Sequence, residues 1–202
     1  MGITTPLKTA LITGASRAPG PDLARTLAAR GWRVALNDLN PFVLDQLMQE
    51  ITQAGGLAHA HFADIAQKLA LQTILNDFED AWGPMDVLIN NTRVMPTMPL
   101  LDMDEWDWRR VLDVNLTGAF LLTQVVGRIM RAQGGGTIIH LLQPDEGAGH
   151  AAYAATQAGL EGMVRVAEKE LGEVGVRIHL IKVEPEPSQS LSAVMKICEG
   201  AD

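Results

Sequence analysis

The sequence predicts an α/β fold, a doubly wound parallel sheet of six or so strands with helices on both faces. Three observations support this prediction. Short apolar runs alternate with longer amphipathic segments along the 202 residues, with few residues between them. The first apolar run ends in a glycine-rich turn at residues 13–20, and neither internal repeats nor low-complexity linkers interrupt the alternation. Strands joined by helical crossovers pair in parallel, and the crossovers place helices on the faces of the sheet.

The first half of the chain carries three strand and three helix patterns. We expect strands at residues 8–13, 33–38 and 57–62, and helices at residues 21–30, 42–54 and 67–82. The first helix pattern places four apolar residues on one face: Leu23, Ala24, Leu27 and Ala28. This spacing is typical of a helix that packs on a sheet, and Gly31 is a typical helix end.

The second half continues the alternation. Strands are expected at residues 86–90, 137–142 and 176–182, and helices at residues 104–132, with a break near Asp113, and 151–171. Residues 183–202 are rich in Pro and Ser, which predicts a short, irregular tail with one short helix. The whole chain, residues 1–202, is predicted to form a single domain, since its length suits one sizeable core.

Composition narrows the class of protein. The chain is 47% hydrophobic and 20% charged, which is ordinary for a globular domain. The net charge of −8 is spread along the chain without a basic stripe, so a nucleic-acid partner is not expected. No apolar run is long enough to span a bilayer, and no signal peptide is recognisable, so we expect a cytoplasmic protein without a membrane partner. A single cysteine, Cys198, excludes an internal disulfide and suits a reducing compartment. No metal site is predicted.

Six segments identify a family resemblance. They are TGASRAPG, VALND, FADI, DVLINN, DVNLTGAFLL and YAATQAGLEG, and they occur in this order between about Lys8 and Lys182. In order and spacing the chain resembles the short-chain dehydrogenase/reductase family. The resemblance implies a Rossmann-like domain that binds a nicotinamide dinucleotide beyond the carboxyl ends of its strands.

The resemblance implies a nucleotide site whose adenosine half is intact. The residues expected to bind the cofactor there are Gly14, Ala15, Ser16, Arg17, Gly20, Asp38, Asp64, Ile65, Asn90 and Asn91. Asp38 ends the second strand, where a carboxylate can accept hydrogen bonds from ribose hydroxyls and repel a 2′-phosphate, which favours NAD over NADP. An aspartate that only caps a turn or helix is the alternative. Arg17 favours NADP, because family members with arginine at that position often bind it.

The phosphate turn departs from the family pattern. Ala18 stands where the family has its middle glycine, and a methyl group there would cost about 1–2 kcal/mol if φ were positive. Pro19 and Pro21 remove two N–H donors from the helix N-terminus that should cradle the phosphates. Thr92 and Arg93 replace a small Ala-Gly pair and add bulk beside the cofactor. We therefore expect weak NAD binding, with NADP less favoured.

The resemblance implies a catalytic set that is incomplete. Tyr153 and Asn115 occupy the positions of the family's proton-transferring tyrosine and its relay asparagine. Gln143 stands where a serine is expected, and its amide could still donate to a substrate oxygen. Gln157 stands at the lysine position, where it could reach the cofactor ribose but supplies no charge to stabilise a tyrosinate. His140 alternates with apolar residues in a strand and is predicted to pack inside the sheet.

Three hypotheses follow, from different classes of protein. The leading one is a dinucleotide-binding family member with a degraded active site and little or no hydride transfer. The alternative is a functional NAD(H)-dependent oxidoreductase that acts on a carbonyl or secondary alcohol through Tyr153. A scaffold that binds no nucleotide is the third.

Two further expectations come from the same resemblance. The segment after residue 182 lacks the family's Pro-Gly turn, lid and final strand, which predicts an open substrate pocket. Helices 113–132 and 151–171 carry more apolar positions than one sheet face can bury. We expect a homodimer or homotetramer through these helices, or a related partner subunit.

Overall fold

The structure is a computed structural model that describes residues 7–145 and 147–200. Its centre is a sheet of six parallel strands in the order β3-β2-β1-β4-β5-β6. The strands are β1 Thr9–Thr13, β2 Arg33–Asp38, β3 Leu57–Phe62, β4 Val87–Asn90, β5 Gly136–Leu142 and β6 Val176–Lys182. The predicted doubly wound α/β fold is confirmed.

Helices connect the strands. They are α1 Gly20–Ala29, α2 Pro41–Gln53, α3 Lys68–Trp82, α4 Glu105–Leu112, α5 Gly118–Gln133, α6 Ala151–Gly172 and α7 Pro187–Glu199. A π-helical turn, Asp113–Thr117, joins α4 to α5 where the sequence predicts a break. Within residues 7–145 and 147–200, no helix is long and apolar enough to cross a membrane.

Two hydrophobic layers sandwich the sheet. On one face Ala10 and Ile12 of β1 belong to a core shared with α1, α2 and α7, whereas Leu11 faces a second core built from α3, α5 and α6. Successive residues of a strand point to opposite faces, so a strand buried on both sides must be apolar throughout. All five residues of β1 are accordingly buried, and the sheet forms a rigid floor for the loops at its edge.

The tail with one short helix that was predicted for residues 183–202 contains a longer helix than expected. Residues 187–199 form α7, a helix of 13 residues, and its Val194, Met195 and Cys198 are buried in the core beside α1. Proline is tolerated in the first turn of a helix, so Pro187 opens α7 without disrupting it. Burial raises the pKa of the Cys198 thiol to about 12, which keeps it protonated and unreactive near neutral pH.

Candidate functional site

A groove lies at the carboxyl ends of the central strands. The order of the sheet reverses there, since β1 pairs with β2 on one side and β4 on the other, and open α/β sheets bind ligands at such a point. The groove is lined by Gly14, Arg17, Asn37, Asp38, Leu39, Ala63, Asp64, Ile65, Thr92, Arg93, Val94, Arg110 and Val114. Five of the predicted cofactor residues are in this lining: Gly14, Arg17, Asp38, Asp64 and Ile65.

Two glycines let the first turn pack closely. Gly14 has φ +63°, and a Cβ on it would lie 2.5 Å from the carbonyl oxygen of Asn91. A Cβ on Gly20 would lie 2.9 Å from the Cα of Ala15. The Asn91 amide fastens the turn, since it donates to the carbonyls of Gly14 at 3.0 Å and Arg17 at 2.8 Å. Asn91, Gly20 and the buried Ala15 therefore support the groove from behind rather than lining it.

The turn itself offers few free donors. The N–H of Ser16 donates to the Asp38 carboxylate at 3.1 Å, and the N–H of Arg17 donates to the carbonyl of Gly14 at 3.2 Å. The N–H of Gly20 donates to the carbonyl of Arg17 at 2.7 Å, and prolines have no N–H. The strain considered for Ala18 is absent, because every residue with positive φ in the described part of the chain is a glycine.

Two acidic side chains hold the main chain at the ends of β2 and β3. One oxygen of Asp38 accepts from the N–H groups of Leu39 at 2.7 Å and Asn40 at 3.2 Å, and the other accepts from Ser16. Asp64 accepts from the N–H of Ala66 at 3.0 Å. Asp38 thus has the turn-capping role, and it also faces the groove, where a carboxylate oxygen with one hydrogen bond retains capacity for a second.

Asn90 leads into a buried polar network. Its side-chain oxygen accepts from the Thr13 hydroxyl at 2.8 Å, and its amide lies 3.0 Å from Nδ1 of His140. Nε2 of His140 lies 2.9 Å from the hydroxyl of Thr123, which in turn donates to the carbonyl of Ala119. Burial lowers the pKa of His140 to about 4, so its ring is neutral at pH 7. The prediction that His140 packs inside the sheet is confirmed, and Asn90 lies beneath the groove.

Tyr153 is enclosed. Its side chain is 1% exposed, and its hydroxyl donates to the main-chain carbonyl of Gln143 at 2.8 Å. Burial raises the pKa of the phenol, whereas the nearby Arg93 charge lowers it and the Asp145 charge raises it. The open substrate pocket stays a prediction, whereas the Tyr153 hydroxyl itself is enclosed and Gln143 meets it through its main chain.

Two loops are joined beside Tyr153. Nδ1 of His150 lies 2.9 Å from a carboxylate oxygen of Asp145, and Nε2 lies 2.8 Å from the hydroxyl of Thr97. The N–H of Met98 donates to the carbonyl of Gly149 at 2.8 Å. These bonds hold the loop after β5 against the loop after β4. Sequence reasoning missed His150, because no periodicity or motif marks it.

Asn115 and Gln157 have different surroundings. Asn115 accepts from the N–H of Val94 and donates to its carbonyl, both at 2.8 Å, so it pins the loop after β4. Its amide also donates to the hydroxyl of Thr156 at 3.4 Å. The side-chain oxygens of Gln157 and Thr92 are buried, and within the described residues neither has a hydrogen-bond partner. Such buried orphans are rare in proteins and indicate a site for a ligand or water.

Sequence reasoning treated Arg93 only as bulk, but it is the most notable side chain of the groove. Its guanidinium donates from Nη1 to the carbonyl of Ala18 and to the side-chain oxygen of Asn91, each at 3.4 Å. Arg17 and Arg110 line the same groove. Three arginines and two aspartates therefore surround one cleft, an arrangement suited to a ligand that carries both phosphates and sugar hydroxyls.

A family model described as short chain dehydrogenase matches residues 8–189. The chain belongs to the short-chain dehydrogenase family.

Two curated relatives illustrate the range of the family. The chain is 35% identical over 176 residues to a 3-oxoacyl-[acyl-carrier-protein] reductase of Synechocystis sp., covering 85% of this chain and 71% of that protein. It is 33% identical over 178 residues to a D-threitol dehydrogenase of Mycolicibacterium smegmatis, covering 86% of this chain and 68% of that protein.

Two solved structures share the fold closely. A metagenomic short-chain oxidoreductase in complex with NADP has a TM-score of 0.88 at 32% identity, covering 95% of this chain and 90% of that one. A 7α-hydroxysteroid dehydrogenase complexed with NADH and 7-oxo glycochenodeoxycholic acid has a TM-score of 0.87 at 27% identity. The match covers 95% of this chain and 87% of that one. Both NADP and NADH occur in these relatives, so the likeness does not separate one cofactor from the other.

Proposed function

We propose that the chain binds a nicotinamide dinucleotide in this groove but has a degraded active site with little or no hydride transfer. The observation that carries the proposal is the state of Tyr153, whose side chain is 1% exposed and whose hydroxyl donates to the carbonyl of Gln143. A general acid or base must reach the proton that it transfers. A phenol that is buried and already hydrogen-bonded to the main chain does not meet that condition.

The helix that carries Tyr153 supplies no cation to activate it. Gln157 lies one helical turn later on the same face, and its amide is neutral. Burial raises the pKa of the Tyr153 phenol. General acid–base catalysis contributes about 10²–10⁴-fold when the pKa lies near the working pH. A phenol whose pKa is raised from the usual value of about 10 loses much of that contribution.

The groove nevertheless fits a nicotinamide dinucleotide. Asp38 and Asp64 lie where ribose and adenine would contact the ends of β2 and β3, and Thr92, whose buried hydroxyl has no partner among the described residues, lines the same groove. The orphaned oxygen of Gln157, one turn after Tyr153, would accept a hydrogen bond from the second ribose. When bound, the nicotinamide would supply a hydride donor or acceptor; the residues of the chain would bind and orient it.

The proposed preference is for NAD over NADP. The negative charge of Asp38 lies at the groove and would repel a 2′-phosphate. Arg17 lines the same groove and opposes that effect, so the preference is modest. The donor-poor turn supports weak binding of either cofactor, because few main-chain N–H groups remain to hold the phosphates.

A working NAD(H)-dependent oxidoreductase is the second candidate, and one observation favours it. The Arg93 guanidinium acts on the pKa of Tyr153 in the direction that activates it, although burial outweighs this effect. An arginine on the loop after β4 would then supply part of the charge that Gln157 lacks. In this case Tyr153 would transfer the proton to or from a carbonyl or secondary alcohol, with Gln143 and Asn115 in supporting roles.

Two measurements test the proposal together. NADH and NADPH are titrated while fluorescence of the four tryptophans is followed, and NADH oxidation is then assayed with a panel of aldehydes and ketones. We expect weak binding, tighter for NADH, and no measurable turnover. Ligand at 100 times its dissociation constant should stabilise the fold by about 2.7 kcal/mol. Absence of any thermal shift at millimolar NADH would refute nucleotide binding, whereas brisk turnover abolished by Tyr153→Phe would establish the second candidate.

A second copy of the chain is the proposed partner. An apolar groove between α5 and α6 is lined by Phe120, Thr123, Gln124, Gly127, Arg128, Arg131, Met163, Val166, Ala167, Glu170, Leu171 and Val174. Val166 is 54% exposed and Phe120 is 46% exposed, and they line one groove, where a contiguous apolar surface indicates a contact site. Arginines and Glu170 border the same apolar surface, so two copies related by a two-fold axis would pair opposite charges across it.

The oligomeric state tests this assembly. We expect a dimer or tetramer in sedimentation at tens of micromolar, and Val166→Asp should dissociate it. Leu69→Asp is the matched control, since Leu69 is exposed on α3, away from this groove. A wild-type monomer would refute self-association, and a monomer that pairs only with a related chain would identify a partner subunit instead.

A further inference from the structure

Arg93 lies in the groove between the phosphate turn and Tyr153. On one side its guanidinium contacts Ala18 of the phosphate turn, and on the other its charge acts on Tyr153. The side chain is half-buried, and desolvation lowers its pKa from the usual value for arginine, although a guanidinium remains charged in proteins. No carboxylate pairs with it among residues 7–145 and 147–200. A partly desolvated cation without an anionic partner is a strong attractor for an anion.

We propose that Arg93 binds the linked phosphates of the dinucleotide and replaces the main-chain donors that the turn lacks. This inference rests on the proposed function and names the residue that makes it possible. A guanidinium presents five N–H donors in a planar fork that matches phosphate oxygens. Among the residues that the structure describes, Arg93 is engaged only through Nη1, in two contacts at 3.4 Å, which is the long limit for a hydrogen bond. The remaining donors are available to a ligand.

The small number of free main-chain donors in the phosphate turn favours such a replacement. The N–H groups of Ser16, Arg17 and Gly20 are all bonded within the protein. Pro19 and Pro21 have no N–H to offer. The N-terminus of α1 thus has few main-chain donors left for a diphosphate, and Arg93 lies directly against this turn.

The charges of the groove set the orientation of the ligand. Asp38 and Asp64 lie at the ends of β2 and β3, where hydroxyls and an adenine edge fit but phosphates do not. Arg93 and the orphaned Thr92 hydroxyl follow β4, on the opposite side of the groove. The diphosphate would therefore lie toward β4 and the phosphate turn, between the adenosine end and Tyr153.

The same contacts allow an opposite outcome. Because the Arg93 guanidinium bonds to Ala18 and Asn91, the side chain would act as a plug if it stayed there when a ligand arrived. A clamp and a plug predict effects of opposite sign when Arg93 is replaced. Removal of a clamp weakens binding, and removal of a plug strengthens it.

The experiment compares ligands with and without phosphates. ADP, adenosine and inorganic pyrophosphate are titrated into the wild type, Arg93→Gln, Arg93→Lys and Arg109→Met, with calorimetry and thermal unfolding as readouts. Arg109 is the matched control, because it carries the same charge on α4 but pairs with Glu105 on the surface. Its side chain is 71% exposed.

We expect Arg93→Gln to weaken ADP about tenfold or more, the value of a lost charged hydrogen bond, and to leave adenosine unchanged. Pyrophosphate should stabilise the wild type more than Arg93→Gln. Arg93→Lys should retain part of the effect, and Arg109→Met should match the wild type. Added salt should weaken ADP but not adenosine in the wild type, which tests the inference even if Arg93→Gln folds poorly.

Equal ADP affinity in Arg93→Gln and wild type would overturn the inference, and tighter binding in Arg93→Gln would show that Arg93 is a plug. Pyrophosphate that fails to stabilise the wild type would also overturn it. If NADH does not bind but pyrophosphate still binds in an Arg93-dependent way, the inference stands and the proposed function alone fails.

Discussion

The two ends of the groove differ in what their polar side chains are bonded to. At the nucleotide end Asn91 and Asp38 hold main-chain segments in place, with two and three hydrogen bonds to the main chain respectively. At the catalytic end Tyr153 makes a single bond to a loop carbonyl, and the side-chain oxygen of Gln157 is a buried orphan within the described residues.

This difference explains how residues at the catalytic end can be replaced while residues at the nucleotide end are kept. A residue that supports the fold cannot be replaced without loss of stability, whatever happens to the ligand. A residue that serves only chemistry can change while the fold remains, which is why membership of a fold does not establish an activity. The nucleotide end belongs to the first kind, and the position of Gln157 belongs to the second.

The largest expected effect tests the structural role of the nucleotide end. Gly14→Ala forces a positive φ on alanine, which costs about 1–2 kcal/mol, and drives its Cβ to 2.5 Å from a main-chain oxygen. We expect a total loss of about 3 kcal/mol or more in the free energy of unfolding, measured with urea. Gly31→Ala is the control, because Gly31 has φ +82° but open space around it. Equal losses in both variants would mean that close packing at Gly14 contributes nothing.

A second effect concerns the network beneath the groove. The pKa of His140 is lowered by burial to about 4, below its unfolded value of about 6.5. A lowered pKa stabilises the folded state above pH 6.5, and this contribution is lost as the pH falls toward 4. We expect His140 to contribute up to about 3 kcal/mol to that loss in urea unfolding between pH 7 and 4. A His140→Leu variant with an unchanged pH dependence would contradict the expectation.

A third effect tests whether the catalytic end can be repaired. Gln157→Lys combined with Gln143→Ser would place an ammonium one turn from Tyr153, and each unit of lowered phenol pKa corresponds to about 1.36 kcal/mol. We expect carbonyl reduction to rise about 10²-fold from near background. Tyr153→Phe should abolish the gain. A repaired variant that remains inactive would make the buried state of the phenol, not the missing lysine, the limiting defect.

The smallest effect concerns the choice of cofactor. Asp38→Asn removes the negative charge but keeps one oxygen that can accept from main-chain N–H groups. We expect the ratio of NADPH to NADH affinity to rise about five- to tenfold. This corresponds to about 1 kcal/mol of binding free energy, the size of one interaction between two charges exposed to water. Asp64→Asn is the control for a general loss of charge. An unchanged ratio would leave Asp38 with the turn-capping role alone.

Much of this architecture could be predicted from the sequence. The six strands, the helices before residue 183 and the packing of His140 follow from apolar periodicity, which burial on a sheet requires. The length of α7 was underestimated because Pro and Ser are typical of loops, whereas Val194 and Met195 of this helix pack into the core.

The missed parts of the site depend on side-chain direction and loop contacts. The sequence places Arg93 after β4 but does not reveal that it turns toward Ala18. Beside Tyr153, His150 bonds to Asp145 within its own loop and joins that loop to Thr97, which is distant in sequence. Pattern and composition carry no signal for such pairs.

The central claim, that Tyr153 is not activated for proton transfer, can be tested on one chromophore. The chain contains a single tyrosine, so the near-ultraviolet absorbance of tyrosinate reports the pKa of Tyr153 alone. Burial raises that pKa, so the folded state should gain tyrosinate only above pH 10, and its stability should fall as the pH rises from about 10 to the raised value. A folded protein whose tyrosinate appears between pH 7 and 9, with NADH absent or bound, would contradict the account.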